Sequence, residues 1–283
     1  MSGAPTLLLC VGATKAGTSW LYRHLAAHPD CHLRGVKELH YFDTIENGTF
    51  RRQIRLLRGY ARRLPANGTR AADARAWMRV LKREVEDVPA YLGYLTQGAG
   101  SRRLVADITP AYALLPVARL RAMATMTPDV RFLYILRDPL SRLWSHVRML
   151  AVRAAAQAAE VPAQARAIMA RFLAGGEPGV AARGDYIAAV GRLAEAAAAE
   201  RVSVVVQDDL MTAGGIARLW SFLGIGAGPV DLARRVHAGV PLPMDPDQEA
   251  AARAWLAPQY AFVQARFGRL PQGWQAAGAG EAA

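Results

Sequence analysis

The sequence predicts an α/β fold of three layers, in which a central parallel sheet is flanked by helices on both faces. Three observations predict it. Apolar runs at 6–11, 103–107, 130–136 and 202–206 have the length and near-continuous hydrophobicity of strands buried on both faces. Each run is followed by helical periodicity, the pattern of parallel strands joined by helical crossovers. At 283 residues the chain is long enough to bury such a sheet in a single domain, expected over 1–274.

The first strand, ending Leu7-Leu8-Leu9-Cys10-Val11, leads directly into Gly12-Ala13-Thr14-Lys15-Ala16-Gly17-Thr18-Ser19 and then an amphipathic helix marked by Trp20, Leu21 and Leu25. A buried strand, a glycine-framed turn and a helix start place backbone N–H groups and a helix N-terminus around an anion, most often a phosphate. The spacing of Gly12 and Gly17 is that of the nucleotide-triphosphate loop G-x-x-x-x-G-K-[ST], so the fold is P-loop-like. However, Thr18 stands where that loop has its lysine, and the only lysine, Lys15, lies inside the turn.

Residues 47–98 read as a helical insertion, rich in arginine and broken at Pro65-Ala66-Asn67-Gly68 and at Pro89. Pro139 opens the first turn of a helix over 139–151, a position that suits proline. The alanine-rich stretch 152–199 is helical apart from Gly175-Gly176-Glu177-Pro178-Gly179, and its first part, 152–180, is a candidate lid. A glycine- and proline-containing loop at 224–246 precedes a last helix over 247–267, and 275–283 reads as a frayed tail.

Composition narrows the function. No apolar stretch approaches the ~20 residues that cross a bilayer. The first strand lacks the basic flank and cleavage site of a signal peptide, so the expectation is a cytoplasmic protein with no transmembrane segment. Cys10 and Cys31 offer neither a disulfide framework nor metal spacing and read as buried thiols. A net charge of +12 suits an anionic ligand, but the arginines are scattered and accompany no nucleic-acid-binding motif, so no nucleic-acid partner is expected. Lysine occurs only at 15, 37 and 82, and two of these lie near the anion loop. His24, His28 and His32 are spaced like metal ligands, yet Pro29 ends their helix and no carboxylate or thiolate supports them; no metal is expected.

Two further stretches carry chemistry. Lys37-Glu38-Leu39-His40-Tyr41-Phe42-Asp43 alternates ionisable and apolar residues, and an extended conformation puts Glu38, His40 and Phe42 on one face. A carboxylate beside His and Lys suits proton abstraction, and an ordinary salt-bridged loop is the competing reading. In Tyr134-Ile135-Leu136-Arg137-Asp138-Pro139, a strand delivers Arg137 at its carboxyl end, where ligands bind in open α/β sheets, with Ser145 further along the next helix. Arg137 can hold a phosphate in a fork, or instead pair with Asp138 or cap a carbonyl.

Together these stretches resemble the sulfotransferases that use 3′-phosphoadenosine 5′-phosphosulfate (PAPS), most closely bacterial members and the carbohydrate-modifying, heparan-sulfate branch. The loop from Gly12 to Ser19 is similar to the G-x-x-K-x-G-T-[ST] loop that binds the 5′-phosphosulfate, and Arg137 to Ser145 to the R-[DN]-P-x-x-R-x-x-S segment that binds the 3′-phosphate. Glu38, His40 and Asp43 match the E-x-H-x-x-D motif that supplies the base of the glycan branch. Echoes follow in order at Thr109-Pro110-Ala111-Tyr112, Gly184-Asp185-Tyr186, Asp208-Asp209-Leu210 before Phe222-Leu223-Gly224, and Phe267-Gly268-Arg269 before Trp274. The resemblance implies a PAPS-dependent enzyme with product 3′-phosphoadenosine 5′-phosphate (PAP) and no metal requirement. It places Gly12, Ala13, Thr14, Lys15, Ala16, Gly17, Thr18, Ser19, Trp20, Arg137, Ser145, Tyr186 and Arg235 at the cofactor. It places Glu38 as base with Lys15, His40 and Asp43, and Lys37 and Tyr112 at a glycan or small-molecule acceptor. Ile108 stands where the glycan branch has a lysine, which Lys37 is a candidate to replace. Arg234, Arg235 and His237 are candidates for the basic loop over the 3′-phosphate. Two rival readings are a P-loop kinase with Asp107 on Mg²⁺, and a basic nucleic-acid-binding protein without enzymatic activity.

Overall fold

The structure, a computed structural model, describes residues 4–232 and 242–274. Five strands form one all-parallel sheet in the order β2-β3-β1-β4-β5: β1 (Thr6–Gly12), β2 (Cys31–His32), β3 (Leu104–Ile108), β4 (Val130–Leu136) and β5 (Val202–Val206). The four apolar runs of the sequence are β1, β3, β4 and β5. The two-residue β2 at one edge is too short to leave a hydrophobic run and is not foreseen. Leu7 to Val11 are fully buried, as are Phe132, Leu133 and Ile135. These are the strands covered on both faces, and their continuous hydrophobicity follows from that position. The β5 edge is only half-buried over most of its length.

Helices fill the connections: α1 (Thr18–Ala27), α2 (Tyr41–Asn47), α3 (Phe50–Arg62), α4 (Thr69–Leu81), α5 (Val88–Thr96), α6 (Val117–Ala124) and α7 (Pro139–Ala154). They continue with α8 (Val161–Leu173), α9 (Pro178–Ala182), α10 (Tyr186–Ala196), α11 (Gln207–Leu210), α12 (Ala213–Leu223) and α13 (Pro246–Phe267). Side-chain caps fix several starts. Asp138 accepts the Ser141 N–H at 2.7 Å ahead of Pro139, and Asp185 accepts the Ala188 N–H at 3.0 Å. No described helix is long and apolar enough to cross a membrane.

The helical insertion at 47–98 holds α3 to α5, and its aromatic residues, with Tyr41 of α2, are core rather than sugar platforms. Tyr41, Trp77, Tyr91 and Tyr94 are buried against one another, Tyr41 stacking on Tyr91 with ring centroids 4.9 Å apart. The three histidines spaced like metal ligands are also structural. His24 bonds the Trp20 carbonyl, His28 accepts the Asp30 N–H, and His32 bonds the Gln97 carbonyl. Among the described residues no group of His, Cys, Asp or Glu is arranged to hold a metal ion. Cys10 and Cys31 are buried and unpaired.

Candidate active site

The carboxyl ends of β1, β3 and β4 open into a cavity of about 1480 Å³. Its floor is the turn after β1. A Cβ on Gly12 would run into the Tyr134 ring, and Gly17 has a φ of +93° beside the Gln207 side chain. Only glycine turns the chain there without strain. Thr14, Lys15, Gly17, Thr18, Ser19 and Trp20 line the cavity, whereas Gly12, Ala13 and Ala16 lie outside its lining; Ala13 and Ala16 pack into the core. α1 begins at Thr18 with no acidic residue in its first turn, so its N-terminus offers uncompensated N–H groups to an anion.

Arg137 and Ser145 line the same cavity. Arg137 does not pair with Asp138, which is occupied by the Ser141 N–H and by the Tyr260 hydroxyl at 2.8 Å. Instead the Arg137 guanidinium donates to the Lys15 carbonyl at 3.0 Å, tying the end of β4 to the anion turn. Tyr186, expected at the cofactor, is fully buried and outside the lining; its hydroxyl donates to the Arg137 carbonyl at 2.6 Å and so fixes the backbone that carries the guanidinium. Arg234, Arg235 and His237 lie outside the described residues.

The segment 37–43 is not extended. Glu38 and His40 have φ of 61° and 51°, a left-handed conformation that costs a non-glycine residue roughly 1–3 kcal/mol. Phe42, expected on the face of Glu38 and His40, lies in α2 and is buried in the core. The turn still brings the ionisable groups together. The Lys37 ammonium donates to Glu38 Oε1 at 2.6 Å and to the Thr18 hydroxyl at 3.4 Å. Glu38 Oε2 is 3.7 Å from His40 Nε2, and His40 Nδ1 is 2.7 Å from Asp43 Oδ2. A continuous line of charges therefore runs from the anion turn to α2.

These neighbours set the protonation states. Burial disfavours the Glu38 carboxylate, but His40 and Lys37 outweigh it and hold the carboxyl at about 2. Burial likewise disfavours the His40 cation, and Asp43 with Glu38 outweighs it, raising His40 to about 9. At neutral pH Glu38 is therefore ionised and His40 is a cation. Lys15 is shifted down, first by burial and then by Arg137, Arg148 and Arg153.

The strained turn is held from behind. Trp77 donates to the Leu39 carbonyl at 3.0 Å, and the Tyr41 N–H donates to the Tyr112 hydroxyl at 2.9 Å. Tyr112, expected at the acceptor, is fully buried and outside the lining. Its hydroxyl donates to Asp107 Oδ2 at 2.8 Å, and Asp107 also accepts from Tyr91 at 3.0 Å and Thr109 at 2.6 Å. Enclosed by three hydroxyls, Asp107 is outside the cavity lining. Ile108 is buried as well.

Several lining residues carry no motif in the sequence: Thr49, Arg52 and Gln53 from the first part of the insertion, His146, Arg148 and Arg153 from α7, Arg183 after α9, and Gln207 at the start of α11. Of the proposed lid, α8 contributes nothing to the wall. It packs Ile168, Met169 and Phe172 into the core, and only Arg153, Glu177, Gly179 and Val180 at its flanks reach the cavity. The helical period of α7 is the one signal for His146 and Arg153. Arg52 and Arg183 are indistinguishable in sequence from the many other arginines.

Comparison with protein families matches residues 7–186 to the sulfotransferase family. A crystal structure of a sulfotransferase from Alicyclobacillus acidocaldarius is similar, with a TM-score of 0.65 and 24% identity over 96% of this chain and 99% of that one. A sulfotransferase domain from the curacin biosynthetic pathway is similar at a TM-score of 0.52 and 18% identity, over 96% of this chain and 94% of that one. These two likenesses are of fold. No curated protein matches the chain.

Proposed function

This chain belongs to the sulfotransferase family, and we propose that it transfers the sulfuryl group of PAPS to a hydroxyl or amine of a carbohydrate or small metabolite, with Glu38 as the base. The observation that carries this reading is the line of contacts Thr18–Lys37–Glu38–His40–Asp43, which seats an ionised carboxylate beside the anion turn. The cavity fits the cofactor. Lys15, the backbone of the turn and the start of α1 suit a phosphosulfate, and Arg137 with Ser145 suits a second phosphate. Trp20 also lines the cavity, its Nε1 buried without a hydrogen-bond partner among the described residues. The free thiols support a reducing, cytoplasmic setting.

Held by Lys15, the turn N–H groups, Arg137 and Ser145, PAPS would supply the sulfuryl group to the acceptor oxygen or nitrogen, with PAP as the leaving group. Glu38 takes the acceptor proton. Lys15 and the N–H groups of the turn stabilise the negative charge on the departing phosphate oxygen. His40, held by Asp43, keeps Glu38 oriented, and Lys37 links that carboxylate to Thr18. The chemistry is mostly positioning and charge stabilisation, as in phosphoryl transfer.

The test pairs calorimetry with a radiolabel. PAP binds the wild type without metal, and Glu38→Gln binds it within about twofold while transfer from labelled PAPS to an extract of the source organism falls by roughly 10²-fold or more. Retained turnover in Glu38→Gln sinks its role as base. Mg²⁺-dependent ATP binding in place of PAP binding sinks the donor.

A further inference from the structure

The net charge of +12 is concentrated in one part of the molecule. Residues 51–83 hold eleven arginines and lysines against one acid, Asp73, a net of +10 that leaves the rest of the chain near neutral. This stretch is α3 and α4, two helices packed on one another, with their connecting turn. All eleven cations are exposed, whereas Asp73 is buried and spent on Arg34 at 2.6 Å. Among the described residues Arg83 is the one cation of the eleven in an ion pair, with Asp87, and the nearby Glu86 is taken by Arg119 at 2.6 Å. Of the eleven, Arg52 alone lines the cavity, so this charge lies outside the donor and acceptor site.

The helical period sets part of it in a row. Arg51, Arg55, Arg58 and Arg62 stand at i, i+4, i+7 and i+11 of α3, a stripe about 16 Å long at 1.5 Å per residue. Ile54 and Leu57 of the same helix turn to the core. No acid occurs in α3, so no i,i+4 pair neutralises the stripe, and its like charges repel one another. On α4, Arg75 and Arg79 repeat the spacing.

We infer that the α3–α4 hairpin is a peripheral docking surface for an anionic lipid bilayer, with the arginine stripe against the phosphate headgroups. The inference does not depend on sulfuryl transfer from PAPS. Three features select a bilayer over other polyanions. The stripe holds no apolar side chain, whereas a protein interface seats apolar and aromatic groups at its centre and leaves charge to the rim. The hairpin's aromatic residues, Phe50, Tyr60 and Trp77, are buried or half-buried, which leaves no exposed ring for the bases of a single-stranded nucleic acid. Leu56 and Val85, 57% and 59% exposed, are the most exposed large apolar side chains among the described residues, and they lie within α3 and just beyond α4. Apolar groups set among exposed cations match the boundary of headgroups and acyl chains. Leu56 also lines the cavity, so docking on this face brings the cavity mouth beside the lipid.

The experiment is co-sedimentation of the full-length protein with vesicles of phosphatidylcholine, alone or mixed in equal parts with phosphatidylglycerol. The protein binds the anionic vesicles and not the neutral ones, and the binding weakens as salt rises. The variant Arg51→Gln, Arg55→Gln, Arg58→Gln, Arg62→Gln loses about tenfold or more of that affinity. Glutamine matches arginine in helix propensity, and an unchanged Tm shows that the variant is folded. A control loses the same charge from scattered exposed positions, Arg23→Gln, Arg103→Gln, Arg166→Gln, Arg218→Gln, and keeps the binding. Equal binding to both vesicles, binding to neither, or anionic binding that survives the α3 substitutions overturns the inference. A control that loses as much reduces the effect to net charge and overturns it too. Tighter binding to duplex DNA or RNA than to anionic vesicles at the same salt assigns the surface to nucleic acid, and a bilayer is then the wrong partner.

Discussion

The turn at 12–19 and the turn at 37–43 lie side by side on one cavity, and they are built in opposite ways. The first is held by its own sequence: glycines at its two ends, a strand before it and a helix after it. The second has no glycine beyond Gly35, places Glu38 and His40 in left-handed backbone, and is held by side chains from distant segments, Trp77 and Tyr112. An anion needs backbone N–H groups, which a local motif can present. A base needs a particular carboxylate at a particular place, and the strain of putting it there is met by packing from outside the turn.

Separate substitutions break the two halves apart. Besides the Glu38→Gln loss of turnover, Arg137→Ala costs roughly 10–100-fold in PAP affinity, because it removes a partly buried charged donor and frees the Lys15 carbonyl. Calorimetry reads this directly. Glu38→Gln leaves that affinity nearly unchanged, so a variant of either turn that lowers both quantities equally merges the two halves and defeats the comparison.

A smaller effect tests how the second turn is held. Tyr112→Phe removes the acceptor of the Tyr41 N–H and one donor to Asp107 without changing the shape of the core. The expected loss is about 1–3 kcal/mol of stability, since a buried N–H is left without its partner. Turnover falls several-fold with unchanged PAP affinity, in the manner of a positioning residue. Urea denaturation gives the first quantity and steady-state kinetics the second. If PAP affinity falls while turnover holds, Tyr112 supports the donor side instead.

This contrast also explains what was legible in the sequence. The four long strands, the anion turn and Arg137 at the end of β4 follow from local pattern, because burial on both faces and helix starts write themselves into consecutive residues. The grouping of Glu38, His40 and Asp43 was visible, but its geometry was not. Period-two alternation predicts an extended strand, whereas the hydrogen bonds from Trp77 to Leu39 and from the Tyr41 N–H to Tyr112 hold the segment in a bend, and Phe42 lies in the core. Tyr112 and Tyr186 had the right neighbourhood and the wrong depth, since a family echo marks a position without saying whether it touches the ligand or the residue that does. Arg52 and Arg183 reach the cavity only through tertiary packing, which leaves no trace in local sequence.

The smallest effect concerns the charge that joins the halves. His40 is flanked by Glu38 and Asp43, with Lys37 beyond Glu38, Arg183 acting on Asp43 from α9, and Asp107 behind the turn. Its folded-state value of about 9 lies above the ordinary 6.5, so the stability it contributes is fully present below about 6.5 and is lost as pH rises through about 9. Glu38 runs the other way: held at about 2, its contribution is present above about 4.5 and lost only as pH falls through about 2. Between pH 7 and 10 the charge line therefore weakens through His40 alone of the two. Asparagine tolerates the left-handed backbone at this position better than other residues, so His40→Asn removes the charge with little added strain. With both His40 contacts partly exposed and screened, the difference is small: between pH 7 and 10 the wild type loses about 2 °C more in Tm than His40→Asn does. Thermal melts of the two proteins at matched ionic strength measure it. Parallel curves mean that His40 carries no charge at neutral pH, and that the base is oriented by Lys37 and the backbone turn without it.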